Sequence, residues 1–303
     1  MRNAFINELT DLADKNEKIF LIVGDLGFGV IEEFEKRFPK QFLNAGVAEQ
    51  NMMGMAAGLA SAGFQVFVYS IGNFPTFRCL EQIRNDVCYE ELNVTIVSVG
   101  AGLSYGTLGY SHHTIDDIGV MNSLPGMTIY SPADPEETRI ALDSSLSVKR
   151  PKYFRLGKSG EPNLFKSVHS NFPHWTHFTE GQQLLILTTG AITGEAMSAI
   201  EILKSEGIEV SLCAIPILKP FIFDKSYVQN FKHVLVVEEH SISGGLGTLV
   251  SEQIALSGIQ VNLTKLGLPD SVHHELGSQN YLRSYFSIDA KSIVSKVKEM
   301  LAV

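Results

Sequence analysis

The stretch Asn44-Ala45-Gly46-Val47-Ala48-Glu49-Gln50-Asn51-Met52-Met53-Gly54-Met55-Ala56-Ala57-Gly58-Leu59-Ala60-Ser61-Ala62-Gly63 decides how the rest of the chain is read. Small residues crowd it, and Gly54 and Gly58, four apart, fall on one face of a helix predicted to begin near Ala48. A glycine costs a helix interior roughly 1 kcal/mol relative to alanine, so two of them predict another backbone packed closely on that face. Gly63 is placed to end the helix in a left-handed conformation. Glu49 is the only charged residue here. In a first turn its carboxylate either favours the positive helix end, worth roughly 0.3–1 kcal/mol, or serves as a buried functional acid. Position alone leaves both open.

Outward from this helix the chain alternates. Phe5, Leu9, Leu12 and Ala13 recur at helical spacing, then Ile19–Val23 forms a short apolar run of the kind buried on both faces of a sheet. Val66–Tyr69, Val94–Val99 and Thr128–Tyr130 repeat that signal, with helical patterns over Thr76–Val87 and Glu136–Ser147. Residues 151–180 break the rhythm with Pro151, Pro162 and Pro173 and read as an interdomain connection. Alternation resumes with strands at Leu184–Thr188, Glu209–Ile215, Val234–Glu238 and Val261–Leu266, and helices over 194–205, over 247–256 and from about 290. The fold class is therefore α/β, with two domains, each a mainly parallel sheet flanked by helices. Their expected limits are 1–150 and 181–303.

Composition narrows the function. The chain has 303 residues, 45% hydrophobic and 19% charged, enough for two buried cores. A formal net charge of −9, with no block of Lys and Arg, argues against nucleic acid or an anionic membrane as partner. No apolar run reaches the roughly 18 residues of a membrane span, and the N-terminus lacks the unbroken apolar core of a signal peptide. Cys79, Cys88 and Cys213 show no metal-type spacing, which fits a reducing cytoplasm and cannot hold an iron–sulfur cluster.

Several patterns could carry chemistry. Gly24-Asp25-Leu26-Gly27-Phe28-Gly29 and Gly244-Gly245-Leu246-Gly247 follow buried strands, but neither is a dinucleotide fingerprint. Gly157-Lys158-Ser159 is not the end of a P-loop, because Lys152 stands where its first Gly belongs. Ser111-His112-His113-Thr114-Ile115-Asp116-Asp117 pairs two His with two acids. Adjacent side chains point apart and no further ligand is suitably spaced, so a His acting as proton donor or substrate clamp is favoured over a metal site. His169, His174 and His177 surround the only tryptophan, Trp175, and with His273-His274-Glu275 are expected to play surface roles. Phe74 and Phe77, ahead of a helix, are either core residues or a flat platform for a heteroaromatic ring.

These motifs, in this order, resemble the C-terminal two-thirds of transketolase and of deoxyxylulose-phosphate synthase. Gly46-Val47-Ala48-Glu49-Gln50 is similar to the family's pyrimidine-domain signature, Ser111-His112 to its Thr-His in the substrate channel, and Phe74 and Phe77 to its aromatic pair. Val237-Glu238-Glu239-His240 with Gly244–Gly247 is similar to the strand-turn-helix of its C-terminal domain. The resemblance implies thiamine diphosphate as cofactor, with Glu49 as the acid bonded to ring nitrogen N1′ and so catalytic. It implies Phe74 and Phe77 around the aminopyrimidine, Asp25 near the cofactor at a subunit interface, His112 acting on substrate, and Arg155 and Arg2 on a substrate phosphate.

The sequence also departs from the family. Its Gly-Asp-Gly…Asn motif, which binds the diphosphate through a divalent cation such as Mg²⁺, is absent, because it belongs to a domain this chain lacks. Leu108 stands where transketolases carry a hydroxyl-reading Asp, and Gly100 where a phosphate-contacting His falls. No metal ligand is therefore expected here. The resemblance implies the C-terminal subunit of a split transketolase that moves a two-carbon ketol unit between sugars, expected to be phosphorylated. Its expected partner is an N-terminal subunit carrying the diphosphate domain, in an α2β2 assembly with self-association. The alternatives are the β subunit of a 2-oxoacid dehydrogenase, a deoxyxylulose-phosphate-synthase-like enzyme, and a non-catalytic scaffold subunit.

Overall fold

The computed structural model describes residues 1–164 and 172–302; His169 lies outside them. The strands are β1 (Ile19–Val23), β2 (Phe42–Asn44), β3 (Gln65–Ile71), β4 (Val94–Val99), β5 (Thr128–Tyr130), β6 (Lys152–Leu156), β7 (Thr176–Thr179), β8 (Leu184–Thr188), β9 (Ser211–Ala214), β10 (Ile217–Lys219), β11 (His233–Ser241) and β12 (Asn262–Leu268). They form a seven-stranded sheet, ordered β10-β5-β6-β4-β3-β1-β2, and a five-stranded sheet, ordered β12-β11-β8-β9-β7. All pairings are parallel except β10 with β5 and β7 with β9. The apolar runs of β3, β4 and β8 are buried because helices cover both faces of each sheet.

On one face of the first sheet, Phe5 of the Arg2–Ala13 helix packs edge-on against Phe67 and Phe154. The Glu49–Ser61 helix covers the other face with Met52, Met53, Ala56 and Ala60, in a core continuous with Leu185, Leu187 and Val236 of the second sheet. The two sheets thus share one apolar interior.

Four departures from the sequence reading have physical reasons. The expected connection at 151–180 begins with β6, a central strand of the first sheet, and contains β7. Lys152 and Arg155 hid β6, since charge in a buried strand reads as loop. Lys152 Nζ, fully enclosed, donates to Asn93 Oδ1 and to the Val148 and Arg150 carbonyls, and burial pushes its pKa down to about 7. The helix expected over 76–87 is instead a chain of short turns, Asn73–Thr76, Phe77–Cys79, Leu80–Gln82 and Ile83–Cys88. It breaks at Thr76 (φ −101°, ψ −80°) and at Cys79 (φ −109°, ψ 10°).

The short strands β2 and β10 lie at the two ends of the first sheet, where little apolar sequence marks them. Finally, Gly54 and Gly58 do not receive another backbone within the chain. A Cβ at either would meet nothing within 4 Å, so the glycine face is open.

Candidate active site

The first sheet reverses its winding between β1 and β3. After β1 the chain passes to β2 on one side, and after β3 to β4 on the other. Ligands of open α/β sheets settle outside the carboxyl ends of the strands at such a reversal. Here those ends carry Asp25 after β1 and Asn73-Phe74 after β3. Asp25 adopts φ 55°, costly for a residue with a Cβ, and is held there by Asn44. Its N–H donates to Asn44 Oδ1 at 3.0 Å and its Oδ1 accepts from Asn44 Nδ2 at 3.3 Å.

Glu49 opens the helix that follows β2 and is only 6% exposed. Its neighbour Val47 is 74% exposed and does not enclose it, whereas Met52 and Met53, a turn further on, are fully buried in the core. The carboxylate is not isolated. Arg78 Nη1 donates to Glu49 Oε1 at 2.9 Å, while Oε2 has no bond from the described residues. The Arg78 guanidinium lies over the Phe74 ring, 4.0 Å from its centroid, and Phe74 meets His112 edge-on at 5.2 Å. Phe77 is exposed beside them. Val47, Ala48, Glu49, Gln50, Asn51 and Arg78 line a hollow of about 560 Å³.

Arg78 is the residue that sequence reasoning missed. The sequence shows a cation directly after Phe77, but nothing in it joins that cation to Glu49.

His112 sits half-buried on the loop after β4, with Nδ1 3.0 Å from Ser111 Oγ. Burial, and then the nearby Arg78 cation, hold its pKa below the ordinary 6.5, so the imidazole is neutral at pH 7 and can accept a proton. His113 turns the other way, buried with Nε2 at the Gly106 carbonyl. Among the described residues, no group of three His, Cys, Asp or Glu could hold a metal. All three cysteines are free and buried.

Arg155 requires a correction. It is buried with its bonds turned inward: Nε donates to Asp117 Oδ2 at 2.9 Å, and Nη2 to the Thr114 and Glu239 carbonyls at 2.9 and 3.0 Å. With Nε and Nη2 bonded inside the fold and the side chain buried, the guanidinium presents no open face to a phosphate. Three residues on, Lys158 is exposed, its Nζ 5.1 Å from the Tyr105 ring centroid, and the Arg2 cation lies near enough to act on the Tyr105 hydroxyl. These two cations flank one ring at the strand-end rim. Tyr105 also explains Gly100. A Cβ there would fall 2.1 Å from the Tyr105 ring, so the tyrosine fills the space a larger residue would need. Leu108 is exposed on the same loop.

A buried acid, an aromatic rim and a neutral His thus meet at the winding reversal of a two-domain α/β chain. The chain belongs to the transketolase family. Residues 1–162 match the model of the transketolase pyrimidine-binding domain, and residues 174–293 that of the transketolase C-terminal domain.

One of the subunits of the apulose-4-phosphate transketolase of Actinobacillus succinogenes is 34% identical over 87% of this chain and 86% of its own length. The 1-deoxy-D-xylulose-5-phosphate synthase of Listeria monocytogenes is 35% identical over 98% of this chain and 49% of its own length. A solved structure described as a split gene transketolase, inactive β4 tetramer, superposes with a TM-score of 0.87 at 33% identity, covering 99% of this chain and 97% of that one.

Proposed function

We propose that this chain is the C-terminal subunit of a split, thiamine-diphosphate-dependent transketolase that transfers a two-carbon ketol unit between sugar phosphates. Support comes from the family and the split relatives, and one observation carries the reading. Glu49 lines an open hollow beside two phenylalanines, with one carboxylate oxygen free of partners among the described residues. A buried acid with spare bonding capacity and an aromatic rim fit an aminopyrimidine.

When bound, thiamine diphosphate supplies the electron sink for carbon–carbon bond cleavage. Glu49 would then bond the ring nitrogen N1′, Phe74 and Phe77 would flank the ring, and Asp25 would lie towards the partner. His112 holds or moves a proton at a substrate hydroxyl. Arg2, with Lys158 in the place expected of Arg155, forms a two-cation seat for a phosphate. Mg²⁺ and the diphosphate belong to a separate N-terminal subunit. The exposed Gly54/Gly58 face, which costs helix stability while it is uncovered, is suited to self-association within an α2β2 assembly in the cytoplasm.

The test is to purify the chain alone and with a separately produced diphosphate-domain subunit, then assay each with sugar phosphates and with 2-oxoacids. Ketol transfer only in the mixture is the expected result. Turnover by the chain alone, or activity confined to 2-oxoacids, overturns the reading.

A further inference from the structure

The second domain holds the loop that carries His112. That loop, residues 103–113, is closed at its base by two hydrogen bonds: Gly102 N–H to the Thr114 carbonyl at 2.8 Å and Thr114 N–H to the Gly102 carbonyl at 2.9 Å. The end of β11 lies against this base. Glu239 Oε1 accepts from the Leu103 N–H at 2.6 Å and from Gln279 Nε2 at 2.8 Å, and Oε2 accepts from Arg283 Nε at 2.6 Å. Gln279 Nε2 also reaches Ser104 Oγ at 3.2 Å, and Glu195 takes Arg283 Nη1 at 3.2 Å. The backbone adds to this, since the Ser241 N–H donates to the Ile115 carbonyl at 2.6 Å and the Gly277 N–H to that of Gly106 at 3.3 Å. Gly102, at φ +63°, is required, because a Cβ there would lie 2.6 Å from Glu239.

We propose that Glu239, held by Arg283, is a positioning residue: it fixes the 103–113 loop and thereby sets His112 against Phe74. The carboxylate is buried, and its bond to the Leu103 N–H is a charge-assisted one made at the first residue of the loop. Arg283, itself buried, holds the carboxylate in one orientation, so the loop's place is set by an ion pair in the other domain. The proposal rests on the ketol-transfer reading only for what His112 then does, not for how its loop is ordered.

The test uses the full chain with two variants, Glu239→Gln and the double change Glu239→Ala/Arg283→Met, the second leaving no buried cation unpaired. Two readouts need no turnover: amide hydrogen exchange, and modification of His112 by diethylpyrocarbonate. Expected in both variants is an exchange rate about tenfold higher or more across 103–113, with β3, β4 and the 49–61 helix unchanged. His112 is modified faster. In the complex with its partner, the sugar-phosphate KM rises and kcat falls about tenfold while calorimetry finds thiamine diphosphate binding unaltered. Unchanged exchange in the loop overturns the proposal, as does a rise spread evenly over the first sheet. A wild-type complex inert towards sugar phosphates overturns the functional reading alone, and the exchange result still decides the role of Glu239.

Discussion

Two carboxylate–guanidinium pairs in the first domain use the same chemistry in opposite surroundings. Asp117 and Arg155 are both buried, with Tyr153 donating to the same carboxylate at 2.7 Å and two carbonyls taking Arg155 Nη2. Glu49 is equally buried, but its partner Arg78 is about half exposed at the mouth of a hollow. The first pair is enclosed by the protein, with both Asp117 oxygens and Arg155 Nε and Nη2 bonded within the fold. The second retains an oxygen with no bond from the described residues and a cation that can swing aside. A buried charge is thus a structural fastening or a site, according to whether its partners all come from within.

The largest effect that can break this contrast is on turnover. Glu49→Gln keeps shape and an acceptor for Arg78 but loses the acid. Turnover of the assembled enzyme is expected to fall by about 10²–10⁴ with the thermal midpoint little changed. Near-normal ketol transfer by the purified mutant complex removes Glu49 from the chemistry.

Stability separates the arginines. Arg155→Ala strands a buried carboxylate and is expected to cost about 3–5 kcal/mol. Arg78→Ala removes a half-exposed cation and leaves Glu49 facing the open hollow, where water can replace the lost bond, so it is expected to cost about 0–1 kcal/mol in denaturant unfolding. Equal losses would abolish the distinction.

His112→Ala sharpens the open side. Because that half-buried ring bonds to Ser111 and meets the edge of Phe74 without a buried ion pair among the described residues, its removal should raise the sugar-phosphate KM and lower kcat by about tenfold or more, with little change in unfolding temperature. An unfolding temperature that drops with unchanged kinetics contradicts it.

The smallest effect concerns a saturated carboxylate. Glu238 accepts the Leu246 and Gly247 N–H groups at 2.7 and 2.9 Å, yet burial pushes its pKa from 4.5 up to about 7. The folded chain therefore keeps a proton that the unfolded chain releases above 4.5, and this contribution to stability is lost as pH rises through about 7. Glu238→Gln cannot ionise, so its melting temperature should gain on wild type between pH 4.5 and 7. A constant offset across that window refutes the assignment.

The sequence carried the α/β class because β1, β3, β4 and β8 are short, predominantly apolar runs without a charged residue. It did not disclose β6, whose two charges find their partners only in three dimensions, nor β7 and β10, which pair antiparallel with distant segments. At the site, Glu49 stood out as a lone acid among small residues, whereas Arg78 could be joined to it only by the turn that carries the 73–79 segment back over the helix start. The reading of Arg155 failed for the converse reason, since a sequence shows that a cation is present but not which carbonyls surround it.

The placement of β10 bears on how the molecule can be divided. Residues 217–219 fall within the stretch that matches the C-terminal domain model, yet they complete the first sheet beside β5. A fragment ending near residue 162 would therefore present the N–H and C=O groups of β5 as a raw edge, open to any strand that could add to it. Such a truncated piece is expected to stick to its own copies unless Ile217–Lys219 is supplied in trans, much as a donated strand completes an unfinished sheet.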